Sequence, residues 1–337
     1  MKRWLRVAIQ LALSGALIAY ILWQIDVGAA LHEIASSNPL YLLAAAALYL
    51  STFWPLAWRW KILLDSKGIH ESLGWLTKAY FVGYSVSQVL PTSMGGDAVR
   101  IVEHARKRPQ AKGEAAGAVL MERAVGAAAT LVLVALGFVL AAGRYDNIQG
   151  LVKIEFASVI FLVLGGILVF SRRVNTFLQE RVFPHGRAVR LQRPMTSLWK
   201  ALHGYRWQWR ALSAVLVLSV ALQLVRAFSI WACGEAVGVT LSPTVYIILG
   251  PLLFLIMMVP ITINGLGVRE SFFVFFLGRF GIDADAAFAV GFLFFTVTII
   301  AALPGGVILA SRSLRGGLTS VRRREPAPVE TGSASPR

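Results

Sequence analysis

Six apolar runs, each about 17–28 residues long, dominate this chain. They cover 7–23, 40–58, 115–142, 151–170, 211–232 and 286–310. About 20 helical residues span a hydrocarbon core, and lipid offers backbone polar groups no partner, so such runs must be helical. Composition matters here for one reason. Only 15% of residues are charged, against about 25% in soluble domains, which is too few to cover a surface in water. The sequence therefore predicts an all-α integral membrane protein.

Two further apolar stretches are broken by proline and glycine. The first, 79–100, is interrupted at Pro91, Gly95 and Gly96; the second, 246–280, at Pro260, Gly265 and Gly267. Their arms of about 10–16 residues are short for a crossing and suit re-entrant hairpins. The expected architecture is thus a bundle of about six full spans plus two re-entrant helical hairpins. The run 7–23 follows Lys2, Arg3 and Arg6. It reads as a retained first helix rather than a signal peptide, because it is long and ends in Trp23 without a clear cleavage site.

Basic residues orient this bundle. Arg59, Lys61, Lys67, Lys78, Arg100, Arg106, Lys107, Arg108 and Lys112 fall in segments expected on one side, with nine more Lys and Arg in 171–210 and six from Arg312 onward. Loops of the other side carry Arg144 and Lys153 against Asp26, Glu33, Asp146, Glu235, Asp283 and Asp285. By the positive-inside rule the basic side is cytoplasmic, with both termini there. A cell inner (cytoplasmic) membrane, multi-pass placement is expected. The net charge of +16 then reflects topology, and no nucleic-acid partner is expected.

Each half contains two spans, a hairpin and a closing span, in opposite orientation. That order matches an inverted repeat. VLPTSMGGDAVR (89–100) and MVPITINGLGVR (258–269) align without a gap, pairing Pro91 with Pro260, Gly96 with Gly265, Val99 with Val268 and Arg100 with Arg269. The membrane domain is expected over 1–312, in halves of about 1–145 and 146–312, with the basic loop 171–210 between spans. Residues 313–337 read as a disordered cytoplasmic tail.

Three constellations could carry chemistry. In GGDAVR the glycines free the backbone to turn, Asp97 can cap the following half-helix, and Arg100 offers a planar fork to phosphate or carboxylate. The alternative is a turn that sets Arg100 at the interface, paired with Asp97 or Glu103. In NGLGVRE, Asn264 is a candidate cap, Gly265 and Gly267 allow close approach, and Arg269 and Glu270 open the next arm. Charges between apolar runs usually face a polar cavity or a partner; the alternative here is a structural Arg269–Glu270 pair. Glu122 and Arg123 interrupt the 115–142 run and could simply lie at headgroup level. Arg226, near the outer end of its run, could snorkel. The expected headgroup-binding set is Asp97, Arg100, Glu122, Arg123, Asn264, Arg269 and Glu270. Pro91, Gly95, Gly96, Pro260, Gly265 and Gly267 form the breaks.

No Walker-A loop, HExxH, GxSxG or dinucleotide fingerprint occurs. Cys233 is the single cysteine and the five histidines are scattered, so neither a cysteine-cluster metal site nor a cofactor is expected. RWKILL, VLPTSMGGDAVR, MERAVG and VPITINGLGVRE, in this order, resemble the lysylphosphatidylglycerol synthase transmembrane-domain family over roughly residues 5–312. That family includes the flippase half of the bacterial multiple peptide resistance factor and stand-alone membrane members. The resemblance implies a membrane domain that binds or translocates a charged phospholipid, with motif positions at Pro91, Gly95, Gly96, Asp97, Arg100, Glu122, Arg123, Pro260, Gly265, Gly267, Arg269 and Glu270. Aminoacyl-transferring members carry a large soluble domain after the membrane part. Only a short tail follows Ala310 here, so enzyme activity is not expected. The function expected is binding and flipping of an anionic phospholipid or lipid-linked headgroup. The alternative is a non-transporting membrane adaptor for a cell-envelope enzyme.

Overall fold

A computed structural model describes residues 25–90, 95–141, 199–258 and 265–322, with a few single positions besides. The expected spans 7–23 and 151–170, most of the 171–210 loop, and Pro91, Pro260 and Asn264 lie outside the described residues.

Asp26 starts the first described helix, accepting from the backbone N–H groups of Gly28 (2.8 Å) and Ala29 (3.1 Å). This helix, α1 (Val27–Ala35), occupies a stretch expected to be a loop. Asn38 and Pro39 then open α2 (Pro39–Ser51), and α3 (Phe53–Asp65) follows at once. The joint lies at Thr52 because Pro55 has no N–H for the residue four positions back. Together they form one candidate span, Pro39–Asp65, longer than the 40–58 run. The extension, RWKILLD, is amphipathic: Trp60, Leu63 and Leu64 are fully buried.

The first hairpin is α4 (Leu73–Val89) and α5 (Gly95–Lys107). The interruption lies between Val89 and Gly95, so Gly95 and Gly96, expected to form the break, instead open α5 as helical residues, and the arms extend beyond 79–100 at both ends. Glycine brings the arms together. A Cβ on Gly83 would sit 2.7 Å from the Gly96 carbonyl oxygen, so only glycine fits this approach. After a 3-10 turn, α6 (Lys112–Ala141) contributes the candidate span Pro109–Gly137. In the second half, α7 (Trp209–Ala236) is a candidate span of 28 residues. The second hairpin is α8 (Pro243–Met258) and α9 (Val268–Gly278). Finally α10 (Ala284–Arg322) contains the candidate span Ala284–Arg312. It stays helical through 313–322, part of the expected disordered tail; residues 323–337 lie outside the described residues.

Every described element is helical or a turn, and four helical stretches among them are long and apolar enough to cross a membrane. The protein is a multi-pass membrane protein. α7 packs along α2, with α3 beside it, while α4 packs on α10 and α8 on α6. The arms meet within each hairpin, α5 lies on α6, and α9 lies on α10. Glycines again permit close packing at α4 and α10, where Gly305 abuts the Phe81 carbonyl.

Candidate functional site

Where α3, α4, α5, α6 and α7 converge, their polar side chains meet among buried apolar ones. Glu122, on α6, is the hub. Alanines near it (Ala115, Ala118) are fully buried, so neighbouring helices come close enough for long side chains to reach its carboxylate. Arg59 of α3 donates to Glu122 Oε1 at 2.5 Å and to Ser219 Oγ of α7 at 2.8 Å. Arg100 of α5 donates to Glu122 Oε2 at 3.2 Å, and the Tyr80 hydroxyl donates to Oε1. The Arg100 guanidinium lies 3.8 Å from the Tyr80 ring centroid and 5.1 Å from that of Trp60.

Asp97 extends this network. It sits inside the first turn of α5 rather than ahead of it as the expected cap, where the positive end of the helix dipole favours a carboxylate. Its oxygens accept from Arg100 and Arg123. Three arginines therefore share two carboxylates across α3, α5 and α6. The Arg100–Asp97 pair foreseen as an alternative forms, whereas Glu103 pairs with Arg312 of α10.

The second motif is organised differently. Gly265 (φ 71°) and Gly267 (φ 81°) occupy the left-handed region, which side-chain-bearing residues adopt at a cost. Gly267 is the N-cap of α9, and its N–H donates to Glu270 Oε2 at 2.7 Å. Glu270 thereby holds the helix start, while its Oε1 accepts from Arg269 Nε and Nη2, each at 3.2 Å. The Arg269 guanidinium also lies 4.6 Å from the Phe295 ring centroid. The structural Arg269–Glu270 pair is thus present. Both residues are buried, with 2% and 5% of their surface exposed.

Both motifs open on one cavity of about 270 Å³. Asp97, Arg100, Glu122, Arg123, Arg269 and Gly96 all line it, although they come from separate parts of the sequence. Polar residues outside the expected site also line it, Arg59, Tyr80 and Arg226 among them. Charge alone puts Arg59 on the cytoplasmic face; the continuation of α3 to Asp65 carries it into the bundle. Tyr80 had no distinguishing sequence signal. Arg226 was placed near a helix end, but α7 runs ten residues past it to Ala236, and Arg226 faces the cavity. Its periodicity with Ser219 and Gln223, four and three residues apart, was the available clue. The apolar walls include Phe53, Leu56, Leu222, Leu253, Phe254 and Phe294.

Five arginines and two carboxylates line the cavity; adding Glu270 behind Arg269 still leaves cations in excess. Such a chamber can hold an anion by charge-assisted, planar hydrogen bonds. Among the described residues no group of three His, Cys, Asp or Glu side chains is placed to hold a metal ion. A family model described as the lysylphosphatidylglycerol synthase TM region matches residues 7–306. Comparison with curated proteins finds no match.

Proposed function

Because the chain belongs to the family described as the lysylphosphatidylglycerol synthase TM region, we propose that it binds the headgroup of an anionic phospholipid, or a lipid-linked anion, and moves it between leaflets. The observation carrying this reading is the excess of arginine over carboxylate in a cavity with apolar walls. At about 270 Å³, its size falls near the lower end of ligand pockets, about 300–1,000 Å³. That suits a headgroup with its acyl chains outside. Arg100 and Arg269, contributed by the two broken helices, are the expected phosphate contacts.

The packing pattern supports an inverted repeat as the moving framework. Exchanging α4 with α8, α5 with α9 and α6 with α10 turns the α4–α10 contact into α8–α6, and the α5–α6 contact into α9–α10. In this reading the halves rock about the cavity. The basic segments face the cytoplasm in an inner membrane, and no covalent step takes place.

The test is leaflet exchange of labelled phosphatidylglycerol in proteoliposomes, beside protein-free vesicles. Exchange above that background, reduced in Arg100→Ala and Arg269→Ala variants that remain folded, is expected. A wild-type protein that moves no anionic lipid, with or without an ion gradient, overturns transport. If it still supports a cell-envelope phenotype, the adaptor reading takes its place.

A further inference from the structure

We infer that Arg226 is the specificity-determining residue of the cavity: its guanidinium takes the phosphodiester and selects a headgroup of net negative charge. This rests on the lipid-binding reading above but assigns the selection to a residue outside both glycine-rich motifs.

The other four arginines lining the cavity already have carboxylates. Arg59 holds Glu122, Arg100 holds Glu122 and Asp97, Arg123 holds Asp97, and Arg269 holds Glu270. Arg226 has no carboxylate partner among the described residues, and its buried Nε has no hydrogen-bond partner. What surrounds it is aromatic: its guanidinium carbon lies 5.4 Å from the Phe254 ring centroid and 5.9 Å from that of Tyr49. Ring faces steady the cation and hold its plane, yet they leave its N–H groups open.

Depth rules out a headgroup-level arginine. Arg226 lies ten residues before the end of the 28-residue α7, about 15 Å at the helical rise. A cation held so deep needs an anion or a polar cavity. It lies seven residues from Ser219, the partner of Arg59, so the open cation stands about 10 Å along α7 from the saturated network. The cavity thus has one end where three arginines share the Glu122 and Asp97 carboxylates, and another where Arg226 has no carboxylate partner among the described residues. A zwitterionic or aminoacylated headgroup brings its own cation to that second end, where no free carboxylate among the described residues receives it. A phosphodiester of net charge −1 meets only attraction, and the planar fork can grip two of its oxygens.

The experiment measures binding of phosphatidylglycerol and phosphatidylcholine to the purified full chain in detergent, by native mass spectrometry. Wild type, Arg226→Gln and Arg226→Lys are compared, and the melting temperature of each is measured without added lipid. Arg226→Gln should lose about tenfold or more in phosphatidylglycerol affinity, as expected when a charged hydrogen bond is removed. Its affinity for phosphatidylcholine should not change, so the preference collapses. Arg226→Lys should keep the preference in weaker form. Because the change removes a half-buried charge with no carboxylate partner among the described residues, Arg226→Gln should melt no lower than wild type. A folded Arg226→Gln protein with wild-type preference overturns this inference and leaves the lipid-binding reading intact. A wild type without preference for phosphatidylglycerol overturns both. Inorganic phosphate separates the sources of the anion: if it binds wild type as tightly as the lipid does, the site serves a soluble anion and the lipid assignment fails.

Discussion

Replacing Glu122 by alanine tests the central network most directly. Its side chain is 3% exposed and accepts from Arg59, Arg100 and Tyr80. Alanine leaves Arg59 with only the Ser219 hydroxyl, and Arg100 with only the Asp97 carboxylate, which Arg123 also uses. Removing one partner from a buried ion pair costs about 3–5 kcal/mol, because the other charge is left uncompensated. For chains of 150–250 residues each kcal/mol shifts the melting temperature by about 2–4 °C. At 337 residues the lower edge applies, giving a fall of about 6–10 °C. Glu122→Gln keeps an acceptor and the shape but loses the charge, so it should fall between wild type and alanine. The assay is tryptophan fluorescence on heating in detergent. An Arg59→Met, Glu122→Met double variant should lose less than the sum of its single changes, since no charge is then stranded by that pair. A Glu122→Ala protein with the wild-type melting temperature, or strict additivity in the double variant, would refute the reasoning.

Three further outcomes follow from the geometry. Gly96→Ala drives a Cβ into the Gly83 carbonyl and should destabilise by about 1–3 kcal/mol, whereas Gly74→Ala, with open space around it, should be neutral or slightly stabilising; paired melting curves decide. Gly267→Ala must hold alanine at φ 81° and should cost about 1–2 kcal/mol, read the same way. His104, fully buried between Trp60 and Trp75 and outside the four candidate spans, has its pKa pushed below the ordinary 6.5 by burial, with Lys107 and Arg108 adding to the fall and Glu71 opposing it. Protonation therefore favours the unfolded chain, so stability is full above pH 6.5 and falls as pH drops from 6.5 towards the lowered folded-state value. His104→Phe should flatten the melting-temperature slope between about pH 7 and 5; an unchanged slope would count against this account.

Hydropathy and punctuation carried most of the architecture. The runs 40–58, 115–142, 211–232 and 286–310 correspond to Pro39–Asp65, Pro109–Gly137, Trp209–Ala236 and Ala284–Arg312, because a bilayer fixes the length of apolar helix it accepts. The second interruption carries two left-handed glycines, Gly265 and Gly267, whereas Gly95 and Gly96 fall inside the first turn of α5 and serve close packing instead of the turn. The cavity was legible in part. Arg100, Arg269 and Glu122 stand out as charges near or within apolar runs, but their partners require knowledge of helix rotation. Arg59 and Glu122 are 63 residues apart, and no local pattern announces their bond. The positive-inside rule works on counts, so it sent Arg59 to the surface together with true surface residues such as Arg106. Arg226 escapes the sequence for a related reason: its depth depends on where α7 ends, and helix ends are set by capping and packing that hydropathy does not register.

The two hairpins, alike in sequence, are held in unlike ways. α5 is tied by directional bonds along its length. Asp97 and Arg100 reach Arg123 and Glu122, about three turns into α6, Glu103 meets Arg312 of α10, and Lys107 with neighbouring Arg108 closes on buried Glu71 before α4. α9 spends its charges on itself, with Arg269 on Glu270 and Glu270 on Gly267. Its attachment to the rest is apolar, through buried Phe272, Phe273, Phe276 and Leu277. Hydrogen-bonded pairs fix a register because they weaken steeply with distance and angle. Apolar burial is non-directional and tolerates small displacements at little cost. Arg100 and Arg269 therefore occupy matching positions in the alignment without being equivalent in the structure: loss of Arg100 frees oxygens on two carboxylates that belong to different helices, whereas loss of Arg269 frees one carboxylate that already caps its own helix.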